Sequence, residues 1–452
     1  MTRRSADAGG VAAPVVWIVW AVMLAVALVF VARFGRDIPL AEDWTMVPAL
    51  TGREEHLWRW LWSQNNEHRV PLPRLIFLAL LRLTGGDFRS GMVFNTLAMG
   101  GVAAAMIATA RHLRGHVALQ DLFFPLALLH LGHWINLAWS WQIQFVSSFV
   151  LLSLLLLVIV RQVGALSRGE ALMAAAAIVL LPFTGAIGLI FDAALAPWVL
   201  ATAWLHLRAG GAQRGLDGGR AAGWLLAGAF GLAAVTGVLY FVGYERPAWN
   251  PPSPGHVETL KTAGRFLALG FGPWAAEKWR VSVAAILLFL VPSLLLVCWR
   301  LTRDVGAARL RPFGLLSFGG AMVVLALGIG WGRAAQFPAI GLPNRYVLFA
   351  VPALCAAFFA WELYASKPVR PVVPMALALT LAVGVPRNTR YGLEVRDWYV
   401  AGMTAAEEAI DAALDPEEIA ERQGSFLLHW NKAQLAERIR MLRTAGHGPF
   451  AR

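Results

Sequence analysis

Acidic and basic side chains are concentrated in one stretch of an otherwise apolar sequence. Glu42 and Asp43 stand a few residues after the first apolar run, and Glu67, His68 and Arg69 stand just before the next apolar stretch. A carboxylate held there could act as a general base on a hydroxyl group, and an arginine could bind a phosphate through two parallel hydrogen bonds. Because unpaired charge beside apolar segments is costly, we predict a functional role for these residues. The alternative is a solvated loop with membrane-interface anchors.

A second group of polar side chains lies between apolar runs. Trp141 and Gln142 stand between two such runs, where the amide could bind sugar hydroxyls and the indole could stack on a sugar ring. Hydrogen bonding between helices is an equally good interpretation of the amide. Asp192 also stands between apolar runs, and an acid there must be paired or face a water-filled cavity. All three residues are therefore candidates for substrate binding.

A late loop contributes two arginines. Arg333 and Arg345 flank a segment that contains Pro338 and Pro343, and Tyr346 follows directly. Guanidinium groups in a loop constrained by prolines suit a phosphate or diphosphate group. The alternative is that they pair with lipid head groups or with acids of the C-terminal tail.

The sequence has no motif for a nucleotide or a zinc protease site. It lacks a Walker loop, a dinucleotide-binding glycine fingerprint and an HExxH motif. His130 and His133, three residues apart in an apolar segment, are interpreted as packing residues. No cofactor is predicted with certainty, the metal requirement is left open, and a divalent cation is the one candidate.

The composition indicates a membrane protein. Of its 452 residues, 58% are hydrophobic and 15% are charged, whereas a soluble domain is about 45–50% apolar and about 25% charged. In a soluble protein a net charge of +12 would suggest nucleic acid. In a membrane protein, lysine and arginine collect in the cytoplasmic loops. We therefore predict membrane lipids, and no nucleic acid, as partners.

Eleven apolar runs are long enough, or nearly so, to cross a membrane as helices. They lie at 14–33, 91–110, 117–134, 142–160, 171–190, 193–208, 221–242, 281–300, 313–331, 346–364 and 371–386. Two shorter stretches, 71–83 and 263–276, suit re-entrant or interfacial segments better than spans. The predicted fold is an all-α polytopic membrane protein with about 11–13 transmembrane helices.

Basic loops between the runs predict the orientation of the chain. The segments predicted to be cytoplasmic are Arg111–Arg114, Arg161–Arg168, Arg208–Arg220, Arg300–Arg311 and Lys367–Arg370. Loops 34–70 and 332–345 then share the outer face, and we predict an interfacial helix over 53–64. The chain divides into a transmembrane domain, 1–386, and a near-neutral, extracytoplasmic helical tail, 387–452.

Four short motifs resemble those of the GT-C glycosyltransferases, which are integral-membrane enzymes that use polyprenyl-phosphate sugars. The motifs are Glu42-Asp43-Trp44, Asn66-Glu67-His68-Arg69, Asn136-x-x-Trp139-x-x-Gln142 and Gly332-Arg333…Asn344-Arg345-Tyr346. In detail they resemble a poorly characterised bacterial branch of these enzymes. The resemblance covers most of 14–386 in architecture.

This resemblance implies an inverting glycosyltransferase at the outer face of the bacterial inner membrane. The donor would be a polyprenyl-phosphate-linked sugar, and the acceptor a glycan, a lipid or a protein. Asp43 or its neighbour Glu42 would act as the catalytic base. The residues that would bind the lipid phosphate are Arg69, Arg74, Arg333 and Arg345.

Two other functions are alternatives. A polysaccharide polymerase or ligase also uses arginines on lipid-linked substrates. A transporter or flippase for lipid-linked sugars would need polar groups at mid-membrane and usually an internal repeat. Because the polar groups cluster at one face and no repeat is visible, the transporter is the least favoured of the three functions.

Overall fold

The chain folds into a helical bundle with a small cap at one end. A computed structural model describes residues 10–209, 217–337, 342–427 and 431–451. Pro338 and residues 210–216 of the predicted cytoplasmic loop Arg208–Arg220 lie outside these ranges. The α-helices are α1 (Ala12–Phe34), α2 (Val47–Leu50), α3 (Leu57–Trp62), α4 (Pro71–Leu83), α5 (Arg89–Arg114), α6 (Phe123–Leu128), α7 (Trp134–Ala138), α8 (Ile143–Arg161), α9 (Arg168–Leu180), α10 (Ala186–Ala209), α11 (Asp217–Phe241), α12 (His256–Ala268), α13 (Trp279–Arg303), α14 (Leu310–Arg333), α15 (Val347–Tyr364), α16 (Val372–Asp411), α17 (Pro416–Gln423) and α18 (Lys432–Ala445). Two short strands, β1 (Gln64–Asn65) and β2 (His68–Arg69), pair antiparallel.

Nine helices in the described ranges are long and apolar enough to cross a membrane. The protein is therefore an all-α, multi-pass membrane protein, as predicted. The nine are built on α1, α5, α8, α10, α11, α13, α14, α15 and α16. The predicted number of about 11–13 transmembrane helices is larger because it counts 117–134 and 171–190, which do not form continuous helices.

Local backbone chemistry explains both interruptions. Within 117–134 the chain becomes extended at His130, between α6 and a short 3-10 turn. Within 171–190 the helix tightens into a 3-10 turn at Pro182 and ends at Gly185, whose φ is 114°. Proline cannot supply the backbone N–H that a helix interior needs, and glycine alone adopts such a φ without steric cost.

Both interrupted segments nevertheless connect the two ends of the bundle. The first starts near Asp121, which forms a buried ion pair with Arg114 at one end, and it leads to Trp139 in the core of the cap at the other. The second starts near Glu170, which pairs with Arg161 at the end of α8, and at Gly185 it reaches a cavity that His68 also lines. Non-helical backbone is tolerated at membrane depth where it is buried in protein or lines a cavity.

The first outer loop forms two short helices, α2 and α3, followed by the β1–β2 hairpin. The helix predicted over 53–64 is shorter and covers only Leu57–Trp62. Asn66 turns the hairpin with a φ of 51°, a region that asparagine tolerates better than most residues. Pro71 is the first residue of α4, where its fixed φ suits a helix start. The short segment 71–83 is therefore a helix of 13 residues, too short to count as a candidate span.

The C-terminal part of the chain packs against this loop. Helix α16 is 40 residues long and continues through the predicted domain boundary at 386–387 without a break. Its second half, with α17 and α18, shares a buried apolar core with the first outer loop. Members of this core include Ile38, Trp44, Trp60, Trp139, Tyr399, Ile419, Leu435, Ile439 and Phe450. We call the first outer loop together with residues 399–427 and 431–451 the cap.

Candidate functional site

A polar cavity of about 540 Å³ opens at the boundary between the cap and the bundle. It is lined by residues of the first outer loop, the start of α8, loop 242–255 and the segment around the end of α14. The lining residues are Glu42, Asn65, Asn66, Glu67, His68, Trp139, Trp141, Gln142, Gln144, Phe145, Trp249, Arg333, Gln336, Phe337 and Arg345. Most of the predicted site residues therefore meet in one place, although they are spread over 300 positions of the sequence.

The two neighbouring acids of the first outer loop lie in different surroundings. Glu42 lines the cavity, and its Oε1 accepts a hydrogen bond of 3.1 Å from Asn66 Nδ2. Asp43 is 1% exposed, does not line the cavity, and accepts a 3.1 Å hydrogen bond from the backbone N–H of Leu40. Burial raises the pKa of Asp43 well above the usual range of a carboxyl group. Of the two predicted bases, Glu42 is the one that can reach a bound substrate.

Glu67 and Arg333 form an ion pair across the cavity wall. Arg333 Nη2 contacts Glu67 Oε1, and its Nη1 donates to Gln336 Oε1 at 2.7 Å. Its Nε donates to the hydroxyl of Tyr346 at 2.8 Å. These contacts connect the first outer loop to the end of α14. Each of the three guanidinium nitrogens of Arg333 has a partner within the protein.

Arg345 is a partly buried cation without a carboxylate partner in the described part of the chain. Its guanidinium lies over the rings of Trp139, Phe145 and Tyr346, with centroid distances between 5.6 and 5.9 Å. Its Nε is buried and makes no hydrogen bond to any described residue. Cation–π contacts stabilise the charge but leave the N–H groups available to an anionic ligand.

His68 is neutral at physiological pH. Burial and the nearby charge of Arg345 lower the pKa of His68 to about 4. Its Nε2 lies 3.8 Å from Glu67 Oε1, and its Nδ1 is buried without a partner. A neutral imidazole can accept or donate a hydrogen bond in the cavity without adding charge.

Arg69 and Arg74 do not line the cavity. Arg69 donates to backbone carbonyls through all three nitrogens, whereas Arg74 donates through Nη1 and its buried Nε has no partner among the described residues. Arg69 donates to the carbonyls of Trp62, Tyr240 and Val242 at 2.8–2.9 Å. Arg74 donates to the carbonyls of Trp60 and Ser63. The last carbonyls of a helix have no intrahelical partner, so both arginines satisfy the end of α3. Their geometry favours a structural role over phosphate binding.

Two residues predicted to bind substrate, Trp141 and Gln142, lie in one wall of the cavity. Trp141 and Gln142 are buried and line the cavity, and the Oε1 of Gln142 has no partner among the described residues. Trp139 lines the same wall and donates from Nε1 to the carbonyl of Leu40 at 3.0 Å. A polar group aimed at a cavity without a protein partner is available to a ligand.

Sequence reasoning missed Trp249, which is 55% exposed and forms part of the opposite side of the cavity. Its loop is attached to the hairpin, because Gln64 exchanges hydrogen bonds with the backbone of Glu245 in both directions. Tryptophan in an outer loop normally indicates an interface anchor. Nothing in the sequence therefore distinguishes Trp249 from the other tryptophans of the outer loops.

An apolar groove of about 420 Å³ continues from the polar cavity between helices of the bundle. The two spaces share Glu67, His68, Gln144, Phe145 and Arg333. Its remaining lining is mainly apolar and comes from α8, α10, α11, α14, α15 and the segment around Thr184, with Tyr244, Arg246 and Asn250 of loop 242–255 at one side and Tyr346 also in the lining. The groove lies between candidate membrane spans, and its apolar lining suits a hydrocarbon chain.

Asp192 lies apart from both spaces. It is buried in α10 and lines neither the cavity nor the groove, and neither carboxylate oxygen has a partner among the described residues. The helix carries groove residues such as Ile187 and Ile190 on another face. The prediction that Asp192 binds substrate therefore finds no support in the geometry of the cavity.

Metal-binding residues are sparse in the described chain, which contains no group of three or more His, Cys, Asp or Glu placed to hold an ion. The rings of His130 and His133 lie 4.6 Å apart in the interior. His133 Nε2 is 3.0 Å from the carbonyl of Ala127. This contact agrees with the interpretation of His133 as a packing residue.

No protein-family model, curated protein or solved structure matches this chain. The resemblance to GT-C glycosyltransferases therefore stays a prediction from the four motifs. Because one fold can host many functions, the function has to be argued from the chemistry of the cavity and the groove.

Proposed function

We propose that this protein is a membrane glycosyltransferase. It would move a sugar from a polyprenyl-phosphate carrier to a hydroxyl of a glycan, lipid or protein acceptor at the outer face of the bacterial inner membrane. The observation that supports this best is the junction between the polar cavity and the apolar groove. A lipid-linked sugar has a charged head and a hydrocarbon tail, and this junction offers a suitable surface to each.

In this proposal Glu42 is the general base. Its carboxylate faces the cavity and is oriented by Asn66 Nδ2. It accepts the proton of the acceptor hydroxyl while the hydroxyl oxygen bonds to the anomeric carbon of the sugar. The bond between that carbon and the phosphate oxygen breaks, and its electron pair leaves with the phosphate.

Arg345 stabilises the leaving phosphate, whose negative charge grows in the transition state. Its guanidinium is held over three rings and has no carboxylate partner in the described chain. Arg333 already pairs with Glu67, so its main role is to form part of the wall of the polar cavity. Preorganised charge in a water-poor site is worth more than the same charge in water.

The test uses purified protein, a polyprenyl-phosphate sugar and a hydroxyl acceptor. We expect Glu42→Gln to lower the transfer rate by about 10²–10⁴-fold, the usual contribution of a general base. Arg345→Ala should cost about 10²–10³-fold. The matched controls are Glu55→Gln and Arg59→Ala, which change exposed residues of the same loop and should leave the rate unchanged.

Full transfer activity in both Glu42→Gln and Arg345→Ala would contradict the proposed roles. A deletion strain that accumulates lipid-linked oligosaccharide would favour the polymerase or ligase alternative. Movement of the lipid-linked sugar across liposomes without transfer would favour the flippase alternative. Each outcome is measured on a different product, so the three functions can be separated.

A further inference from the structure

We propose that the described parts of the C-terminal tail, residues 399–427 and 431–451, are a positioning element of the active site. It holds Ala41 in a strained backbone conformation, and this conformation directs the next residue, Glu42, into the cavity. The inference rests on the proposed role of Glu42 as the general base. It extends that role by making the extramembrane tail part of the catalytic apparatus.

The first observation is the backbone at Ala41, whose φ is 49°. In the described chain only Ala41, Asn66 and Ala413 combine a side chain with a positive φ. Two of these three flank the carboxylate of Glu42, since Asn66 donates to it directly. A left-handed conformation costs an alanine free energy and persists only where the surroundings enforce it.

The second observation is the contact that enforces it. The backbone N–H of Ala41 donates to the carbonyl of Leu427 at 2.9 Å, and both residues are buried. Leu427 is itself fixed, because its own N–H donates to the carbonyl of Gln423 at the end of α17. A buried N–H without an acceptor is costly, so docking of the tail favours the strained form of Ala41.

Other contacts dock the tail on the same short stretch. The rings of Trp44 and Phe450 lie 6.2 Å apart in an edge-on arrangement. Arg36 Nε forms a 3.2 Å ion pair with Glu407 Oε2. The tail therefore contacts the chain on both sides of Ala41. These contacts hold the backbone around Ala41 and so determine where the side chain of Glu42 points.

This arrangement has a specific consequence. When tail docking is weakened, Ala41 relaxes toward negative φ and turns Glu42 away from the cavity. Glycine adopts positive φ without the cost that alanine has. A glycine at position 41 should therefore keep Glu42 in place even when the tail is loosened.

The experiment combines Phe450→Ala, which weakens docking, with Ala41→Gly. We expect Phe450→Ala to lower kcat by about tenfold or more, because a misplacement of about 1 Å can cost about 10²-fold. The double variant should recover most of the loss, and Ala41→Gly alone should be close to wild type. The matched control is Ala49→Gly in α2 of the same loop, which should give no rescue in the Phe450→Ala background.

A second measurement does not depend on transfer activity. Glu42→Cys is made in a Cys298→Ser background, where the remaining Cys355 is buried, and the thiol is labelled with a membrane-impermeant methanethiosulfonate. The labelling rate should change in Phe450→Ala and return in the double variant with Ala41→Gly. If Phe450→Ala does not fold, Glu407→Gln weakens the same docking at an ion pair on the surface of the cap.

The outcomes separate the two proposals. Rescue in the labelling assay, combined with no transferase activity in the wild-type protein that retains Glu42, would support the positioning of residue 42 and contradict the proposed function. Full activity of Phe450→Ala, or failure of Ala41→Gly to restore either readout, would overturn the positioning role of the tail.

Discussion

Glu42 and Asp43 are neighbours in the chain but have different electrostatic surroundings. Glu42 faces a polar cavity and a hydrogen-bond donor, whereas Asp43 is buried beside the backbone of Leu40. The 3-10 turn over Ala41–Met46 produces this difference. A sequence can predict that an acid is needed here, but the choice between adjacent acids depends on the turn.

Asp43→Asn tests the structural role of Asp43. The amide oxygen can still accept from the Leu40 N–H, so we expect transfer activity to be retained. Because the folded pKa of Asp43 is raised, its ionisation lowers the stability of the native state as the pH rises above the unfolded value of about 4. The stability of the asparagine variant should not show this decrease with rising pH. Thermal unfolding of both proteins in detergent between pH 4 and pH 8 would measure the difference.

Asp43→Ala provides the contrast in the same assay. It leaves the buried N–H of Leu40 without its acceptor, and we expect the cap to lose about 1–3 kcal/mol of stability. Loss of transfer activity in Asp43→Asn with an intact fold would show instead that Asp43 is the catalytic base.

The arginines show how far residue types alone can predict this site. The resemblance assigned four arginines to phosphate binding, and two of them, Arg333 and Arg345, line the cavity. The other two, Arg69 and Arg74, donate to backbone carbonyls. Sequence spacing does not reveal which carbonyls a short helix such as α3 leaves without a hydrogen bond. The sequence therefore could not distinguish arginines that line the cavity from arginines that donate to these carbonyls.

At the scale of elements, the interruption between α9 and α10 shapes both the fold and the groove. Thr184, Gly185 and Ala186 line the groove where the backbone leaves the helix. Hydropathy predicted one continuous apolar run over 171–190. Pro182 and Gly185 hardly change the mean hydropathy of that run, so they did not mark a break in it. The position of the break therefore required the three-dimensional structure.

Gly185→Ala should destabilise this element. The φ of Gly185 is 114°, and an alanine there is expected to cost about 1–3 kcal/mol. Thermal unfolding and transfer activity should both decrease. The control is Gly228→Ala in α11, where an added methyl group meets open space and helix propensity improves slightly. Equal stability of the two variants would contradict the strain at Gly185.

At the scale of the whole molecule, the proposed function places the hydrophobic part of the substrate in the groove and its polar part in the cavity. Gly328→Leu places a larger side chain in the groove, about 3.7 Å from Ile190 at the first added carbon. We expect a higher KM for a long-chain polyprenyl donor and little change for a short-chain analogue. Enzyme kinetics with both donors would measure this difference.

Gly320→Leu is the matched control for the groove. It lies in the same helix, α14, at an exposed position with open space around it. Its kinetics should match wild type for both donors. A similar rise in KM for the short-chain and long-chain donors in Gly328→Leu would show that the groove does not hold the lipid chain.

Helix α16 is longer than a membrane crossing requires. Forty residues give a helix of about 60 Å at 1.5 Å per residue, whereas a hydrocarbon core is about 30 Å thick. About half of the helix therefore extends beyond the hydrocarbon core, with α17 packed beside it and α18 packed against α17 and α2. This outer half does not line the cavity, but its apolar side chains belong to the core that the tail shares with the first outer loop. The helix therefore works as a mount, and its length sets how far that shared core stands from the membrane.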